Sequence, residues 1–183
     1  LICRAYSHFV LANMFCMPYN PATAGNCLGI PYMDHAETDL NPRYERGTLQ
    51  EVYEMIGKDI EAGIPLIDDT AYSVPKYHFN YKAACCFASR YYLFMQDWDN
   101  AIKYATMALT SNPSSLLRDY SAIAALPNGT SRHQEYVNSA STANFLLQAA
   151  TSNSGLLFDW YSTAGRYSHG KLQGIYETVQ PQK

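Results

Sequence analysis

Few residues of this 183-residue chain have the types and spacing that chemistry requires. Its five histidines, His8, His35, His78, His133 and His169, are scattered, and no two stand at the interval that turns both imidazoles of one helix face toward a metal. The five cysteines, Cys3, Cys16, Cys27, Cys85 and Cys86, form an odd set with no C-x-x-C pair, which points to free or buried thiols. Cys85 and Cys86 are neighbours, and adjacent side chains on a helix diverge, so a bridge between them is not expected. Asp68 and Asp69 are a carboxylate pair of the kind that can divide acid and base duties, but directly after a helix such a pair reads as a solvated turn. There is no G-x-S-x-G elbow, P-loop or dinucleotide glycine fingerprint. No catalytic residue, metal site or cofactor is expected, and the chain is read as a non-enzyme.

What remains is aromatic. Tyrosine occurs 16 times, and its ring can pack while its hydroxyl stays wet, which suits both helix interiors and faces that stack on sugars. Trp160, Tyr161, Arg166 and Tyr167 stand close together in a weakly patterned stretch, with His169 and Tyr176 following. They are the candidate ligand contacts: rings to stack on a sugar and polar tips to bond its hydroxyls. The competing reading has Trp160 and Tyr161 anchoring this stretch against helices. Charged residues make up 16% of the chain and the net charge is −3, so neither a phosphate backbone nor an anionic membrane meets a complementary field. Asn128-Gly129-Thr130 fits a glycosylation acceptor but reads as a turn.

The elements that must position these residues are helical. Hydrophobic residues are 48% of the chain, enough for one domain with a real core. Residues 1–16 read as a helix with Ile2, Phe9, Ala12 and Phe15 among its apolar positions, ending before Pro18. Residues 18–47 hold four prolines and three glycines with no periodicity, a long loop of the sort that carries docking surfaces. Thr48-Leu49-Gln50-Glu51 announces the next helix by a capping box. Val52, Ile56, Ile60 and Ile64 then make one apolar stripe, leaving Glu51, Glu54, Lys58, Asp59 and Glu61 to face water until Pro65.

Residues 82–113 lie on the 34-residue helix-turn-helix template of tetratricopeptide repeats without a gap. Ala101, Ala105 and Ala108 are its small residues, Tyr92 its large aromatic, Gln96-Asp97-Trp98-Asp99 its turn and Pro113 its terminator. Cys85, Ala88, Tyr92, Ala101, Tyr104 and Ala105 are expected in the core. One repeat cannot bury both faces, so it must stack on neighbours, the helix from Thr48 first. The expected fold class is all-α: tetratricopeptide-like hairpins stacked as an α-α superhelix, with long loops and an irregular C-terminal segment. Two regions follow, 1–120 as the helical part and 121–183 as an irregular, partly helical continuation. In the latter, short helices are expected at Leu116–Leu126 and Arg132–Ala140 and an extended piece at 144–150. The helical opening and the absence of a closing element predict a piece of a longer protein.

Several stretches together resemble the SusD/RagB family. Arg4-Ala5-Tyr6 with Phe9, Phe15 and Pro18-Tyr19-Asn20 is similar to a family helix and its exit, and Gly29-Ile30-Pro31-Tyr32 to a family turn. Arg46-Gly47-Thr48-Leu49, Glu51-Val52-Tyr53, Lys58-Asp59-Ile60 and Pro65-Leu66-Ile67 resemble its most recognisable helix, and Pro75-Lys76-Tyr77-His78-Phe79-Asn80 leads into the repeat. The likeness covers 1–120, with Arg166-Tyr167-Ser168-His169-Gly170 matching more loosely. The resemblance implies a non-catalytic, lipid-anchored protein on the extracellular face of the outer membrane. Such a protein captures an oligosaccharide or peptide nutrient for a TonB-dependent SusC-like transporter. The membrane would be reached only through a lipid anchor outside this chain. The alternative is an intracellular tetratricopeptide adaptor, gripping a peptide in a polar and basic groove.

Overall fold

The computed structural model describes residues 1–147 except 39, 41 and 110–112. Helix α1 (Ile2–Phe15) opens the chain, and α2 (Leu49–Gly63) follows the long loop. Helices α3 (Tyr81–Phe94) and α4 (Trp98–Ala108) form a hairpin, and two short helices, α5 (Tyr120–Ala124) and α6 (Gly129–Tyr136), come after it. Among the described residues there is no strand, and the one β-type pairing is an isolated bridge between Leu28 and Thr48. The all-α class expected from the periodicities holds.

Helices α2, α3 and α4 each start where a side chain takes up an amide proton that no helical carbonyl can reach, whereas α1 has no side-chain cap. Thr48 Oγ1 accepts from Glu51 N at 3.2 Å while Glu51 Oε2 accepts from Thr48 N at 2.8 Å, completing the capping box. Asn80 accepts from Ala83 N at the start of α3, and Asp97 from Asn100 N at the start of α4. Asp97 is reached through Gln96, whose φ of 63° reverses the chain in the left-handed region. The Asn128 carboxamide accepts from Ser131 N, so the segment read as a turn at 128–130 is the cap of α6.

Helices α1 and α2 run antiparallel: Ile2 meets Gly63, Arg4 meets Asp59, and Phe9 meets Tyr53. Val52, Ile56, Ile60 and Ile64 are all buried, as the four-residue spacing requires. Phe9 sits among Tyr53, Phe87, Tyr91 and Phe94 at ring-centroid distances of 5.2–6.4 Å, mostly edge to face, which ties α1 to both α2 and α3. Tyr91 donates its hydroxyl proton to the Tyr53 carbonyl at 2.6 Å, and Tyr92 donates to Glu61 at 2.7 Å. Within the hairpin, Tyr92 stacks on Tyr104 at 5.4 Å, and Ser89 donates to the Ala101 carbonyl. Cys85, Ala88, Tyr92, Ala101 and Tyr104 are buried as expected, while Ala105 is half-buried.

Two expectations about side-chain direction are corrected. Asp59, placed among the water-facing residues of α2, is buried because Arg4 and Tyr32 arrive to bond it. Phe15, counted with the apolar positions of α1, is 65% exposed, because the helix ends there and passes beyond α2. The segments expected as helices at 116–126 and 132–140 are shorter, 120–124 and 129–136. Residues 144–147 have no regular conformation, and the rest of the stretch expected to be extended lies outside the described residues.

Candidate functional site

The long loop is not idle. It contains a single 3₁₀ turn, Ala24–Asn26, and its two ends are laced together by Gly29 N to Gly47 O at 2.8 Å and Leu49 N to Cys27 O at 2.8 Å. Gly29 is required there, since a Cβ would stand 2.6 Å from both the Thr48 carbonyl oxygen and Val52 Cγ2. Tyr32 then reaches across to α2 and donates to Asp59 Oδ2 at 2.7 Å, beside a two-pronged contact from Arg4 Nε and Nη2, each at 2.6 Å. Burial opposes charge on Asp59, but the bonds from Arg4 and Tyr32 outweigh it and hold the carboxyl below its ordinary value. The Asp59 contact in turn pushes Arg4 up, and burial pushes the Tyr32 phenol up.

His8, left unassigned by its sequence context, completes this node. Its Nδ1 donates to the Arg4 carbonyl at 2.9 Å, its Nε2 accepts from Met33 N at 2.9 Å, and its ring stacks on Tyr32 at 3.9 Å. Both nitrogens are committed, in the neutral Nδ1–H form. The buried side-chain polar atoms here are all satisfied within the protein, so the node clamps the loop to α1 and α2.

An open pocket of about 390 Å³ lies between the 68–80 segment, the start of α3 and residues 142–145. Local capping builds one wall: Asp68 turns the chain by accepting from Thr70 N, and Asp69 Oδ1 accepts from Tyr81 N at 2.9 Å. The carboxylate pair therefore serves two backbone turns, in keeping with its reading as a turn. The other wall is brought in from far along the chain. Lys76 Nζ donates to the carbonyls of Ser139 and Ser141 at 2.7 and 2.8 Å, and Asn80 Nδ2 donates to the Phe145 carbonyl at 2.6 Å. Leu147 N bonds the Lys76 carbonyl at 2.7 Å. Asn144 is fixed by donating to the Tyr136 and Asn138 carbonyls and accepting from Arg118. Phe145 and Tyr81 supply aromatic surface, and Lys82 Nζ lies 6.0 Å from the Phe145 ring centroid. Burial raises the Tyr81 phenol above its ordinary value, so it is a neutral hydroxyl.

The sequence-predicted ligand contacts Trp160, Tyr161, Arg166 and Tyr167 lie outside the described residues. None of the residues around the Phe145 pocket was anticipated. Lys76 and Asn80 find their partners 63–65 positions away, and no local pattern signals a pairing at that separation. Among the described residues no group of three or more His, Cys, Asp or Glu is arranged to hold a metal, and no helix is long and apolar enough to cross a membrane.

Among the described residues a helical scaffold thus carries an open pocket of aromatic faces and polar groups. The chain belongs to the SusD-like family: the family model described as "Starch-binding associating with outer membrane" matches residues 1–93. A crystal structure of a SusD superfamily protein from Bacteroides thetaiotaomicron VPI-5482 is similar at a TM-score of 0.52 and 28% identity, over 65% of this chain and 25% of that one. The chain thus spans a quarter of that protein's length. No curated protein matches it. The resemblance read from the opening motifs, the capped helix from Thr48 and the lead into α3 is therefore borne out.

Proposed function

We propose that this chain is the helical part of a non-catalytic protein that captures an oligosaccharide at the extracellular face of the outer membrane. The protein then delivers its ligand to a TonB-dependent SusC-like transporter. Family membership over residues 1–93 carries the reading. The helices of region 1–120 act as scaffold, and Trp160, Tyr161, Arg166 and Tyr167 contribute ligand contacts, with a peptide as the less favoured nutrient. The full-length parent is held by a lipid anchor. An aromatic and polar pocket with every buried side-chain polar atom satisfied suits recognition without chemistry.

The test is a screen of the full-length protein and of this chain against oligosaccharides and peptides, with capture of the transporter from outer-membrane extracts. Saccharide binding that falls about tenfold when Trp160 and Tyr161 become alanine is the expected outcome, in line with a lost stacking contact of roughly 1–1.5 kcal/mol. Uniform failure with saccharides and peptides would remove the reading. An intracellular adaptor would instead bind peptides alone and remain in the soluble fraction.

A further inference from the structure

The Phe145 pocket reverses the sign of the chain around it. Acidic residues outnumber basic ones by 16 to 13 overall, yet the pocket is lined by Lys76 and Lys82 against Asp69 alone. Arg118 stands directly behind it, bonded to Asn144. None of these three cations has a carboxylate partner among the described residues, where the acid–base contacts are Arg4 with Asp59 and His35 with Asp34. A cleft lined by one sign concentrates ligands of the other.

The three cations differ in what they have left to offer. Lys76 is committed to two carbonyls, and Arg118 lies over the Tyr136 ring at 3.9 Å while donating to Tyr136 O and Asn144. Lys82 is exposed, and its ammonium has no hydrogen-bond partner among the described residues, only the Phe145 ring. Asp69, the opposing charge, is turned to the Tyr81 amide at the positive end of α3, which offsets it. The site therefore presents an aromatic face, a free ammonium beside it and a neutral phenol.

We infer that this pocket is a subsite for an acidic sugar, a hexuronate unit whose ring lies on Phe145 and whose carboxylate meets Lys82. The pocket's volume of about 390 Å³ accommodates such a ring with its water. This inference rests on the oligosaccharide reading above and narrows its ligand class. Lys76 and Arg118 contribute charge from fixed positions, while Lys82 makes the contact. The pocket's residues are not those of the aromatic group at 160–167, so the two sets can be varied independently.

Calorimetric titration of the full chain with tetragalacturonate, its methyl ester and maltotetraose tests it. The acid is expected to bind at least about tenfold more tightly than the ester, the increment of one charge-assisted hydrogen bond, and to weaken as salt is raised. Lys82→Gln should lose about that factor for the acid and leave the ester unchanged, Lys82→Arg should retain the preference, and circular dichroism should show both variants folded. Equal binding of acid and ester, or a Lys82→Gln variant that binds the acid normally, overturns the acidic subsite while leaving oligosaccharide capture intact. Failure of these three and of a wider saccharide panel overturns both.

Discussion

The hydroxyl of Tyr91 occupies the space in which residue 57 would carry a side chain: a Cβ on Gly57 would stand 2.6 Å from that oxygen and 3.3 Å from Cζ. The ring cannot retreat, because Tyr91 is 2% exposed and its hydroxyl is tied to the Tyr53 carbonyl. The absence of one methyl group thus decides how closely α3 approaches α2.

Gly57→Ala is therefore expected to destabilise the chain by about 1–3 kcal/mol, overpacking outweighing the gain in helix propensity. Gly63→Ala is the control. Its Cβ would meet Ile2 Cδ1 at 2.9 Å, Ile2 Cγ1 at 3.0 Å and Leu1 Cβ at 3.1 Å, aliphatic groups at the first residues of the chain where a small shift displaces no other helix. Urea unfolding should show a clear loss for the first and a change within about 1 kcal/mol for the second.

The trio of Arg4, Asp59 and Tyr32 makes stability depend on pH in a defined direction. Because the folded state holds the Asp59 carboxyl below its ordinary value, the unfolded chain binds its proton first as pH falls. The contribution is complete above the ordinary aspartate range and is lost as pH drops through the lower folded value. Asp59→Asn should cost about 2 kcal/mol at neutral pH, leaving Arg4 without its countercharge, and should flatten the acid limb of a denaturation curve. An unchanged acid limb would mean that other carboxylates carry it.

Thr48→Ala removes the hydroxyl that receives Glu51 N and should cost about 1 kcal/mol. Because Thr48 also pairs with Leu28 at the bridge, where the backbone does the bonding, the loop should stay in place. Amide exchange separates the effects: faster exchange at the first turn of α2, with Gly29 and Leu49 protected as before.

Lys76→Met takes away the two bonds that hold Ser139 and Ser141 while keeping the backbone bond between Leu147 and the Lys76 carbonyl. Residues 138–145 should exchange their amides faster, with α1 to α3 unaffected, since both bonds of the Lys76 ammonium run to residues beyond those helices. Equal exchange in the two proteins would show that the Asn80, Asn144 and Leu147 bonds suffice to fix that wall.

The start of α2 was legible because its capping is local. Thr48 and Glu51 are three residues apart, so the donor and acceptor are neighbours in any chain that turns there. Asn80 and Asp97 cap α3 and α4 at the same spacing, and were not anticipated from the sequence. The apolar stripe of α2 and the small residues facing across the α3–α4 hairpin are equally local, being spacings along one helix. The family likeness was legible for the same reason, since its motifs are short and their order survives.

Asp59 shows what spacing cannot carry. Its position beside Lys58 reads as solvent-facing, and by itself a carboxylate would stay in water, since burying it uncompensated is costly. Arg4 from 55 residues away and Tyr32 from 27 residues away supply the bonds that make burial favourable. His8 joins the node, and Lys76 and Asn80 build the pocket, by the same kind of meeting. The sequence by itself determined where α2 begins, where its apolar stripe runs and to which family the chain belongs. Only the tertiary structure decided which polar residues leave water, because that depends on partners supplied by distant segments.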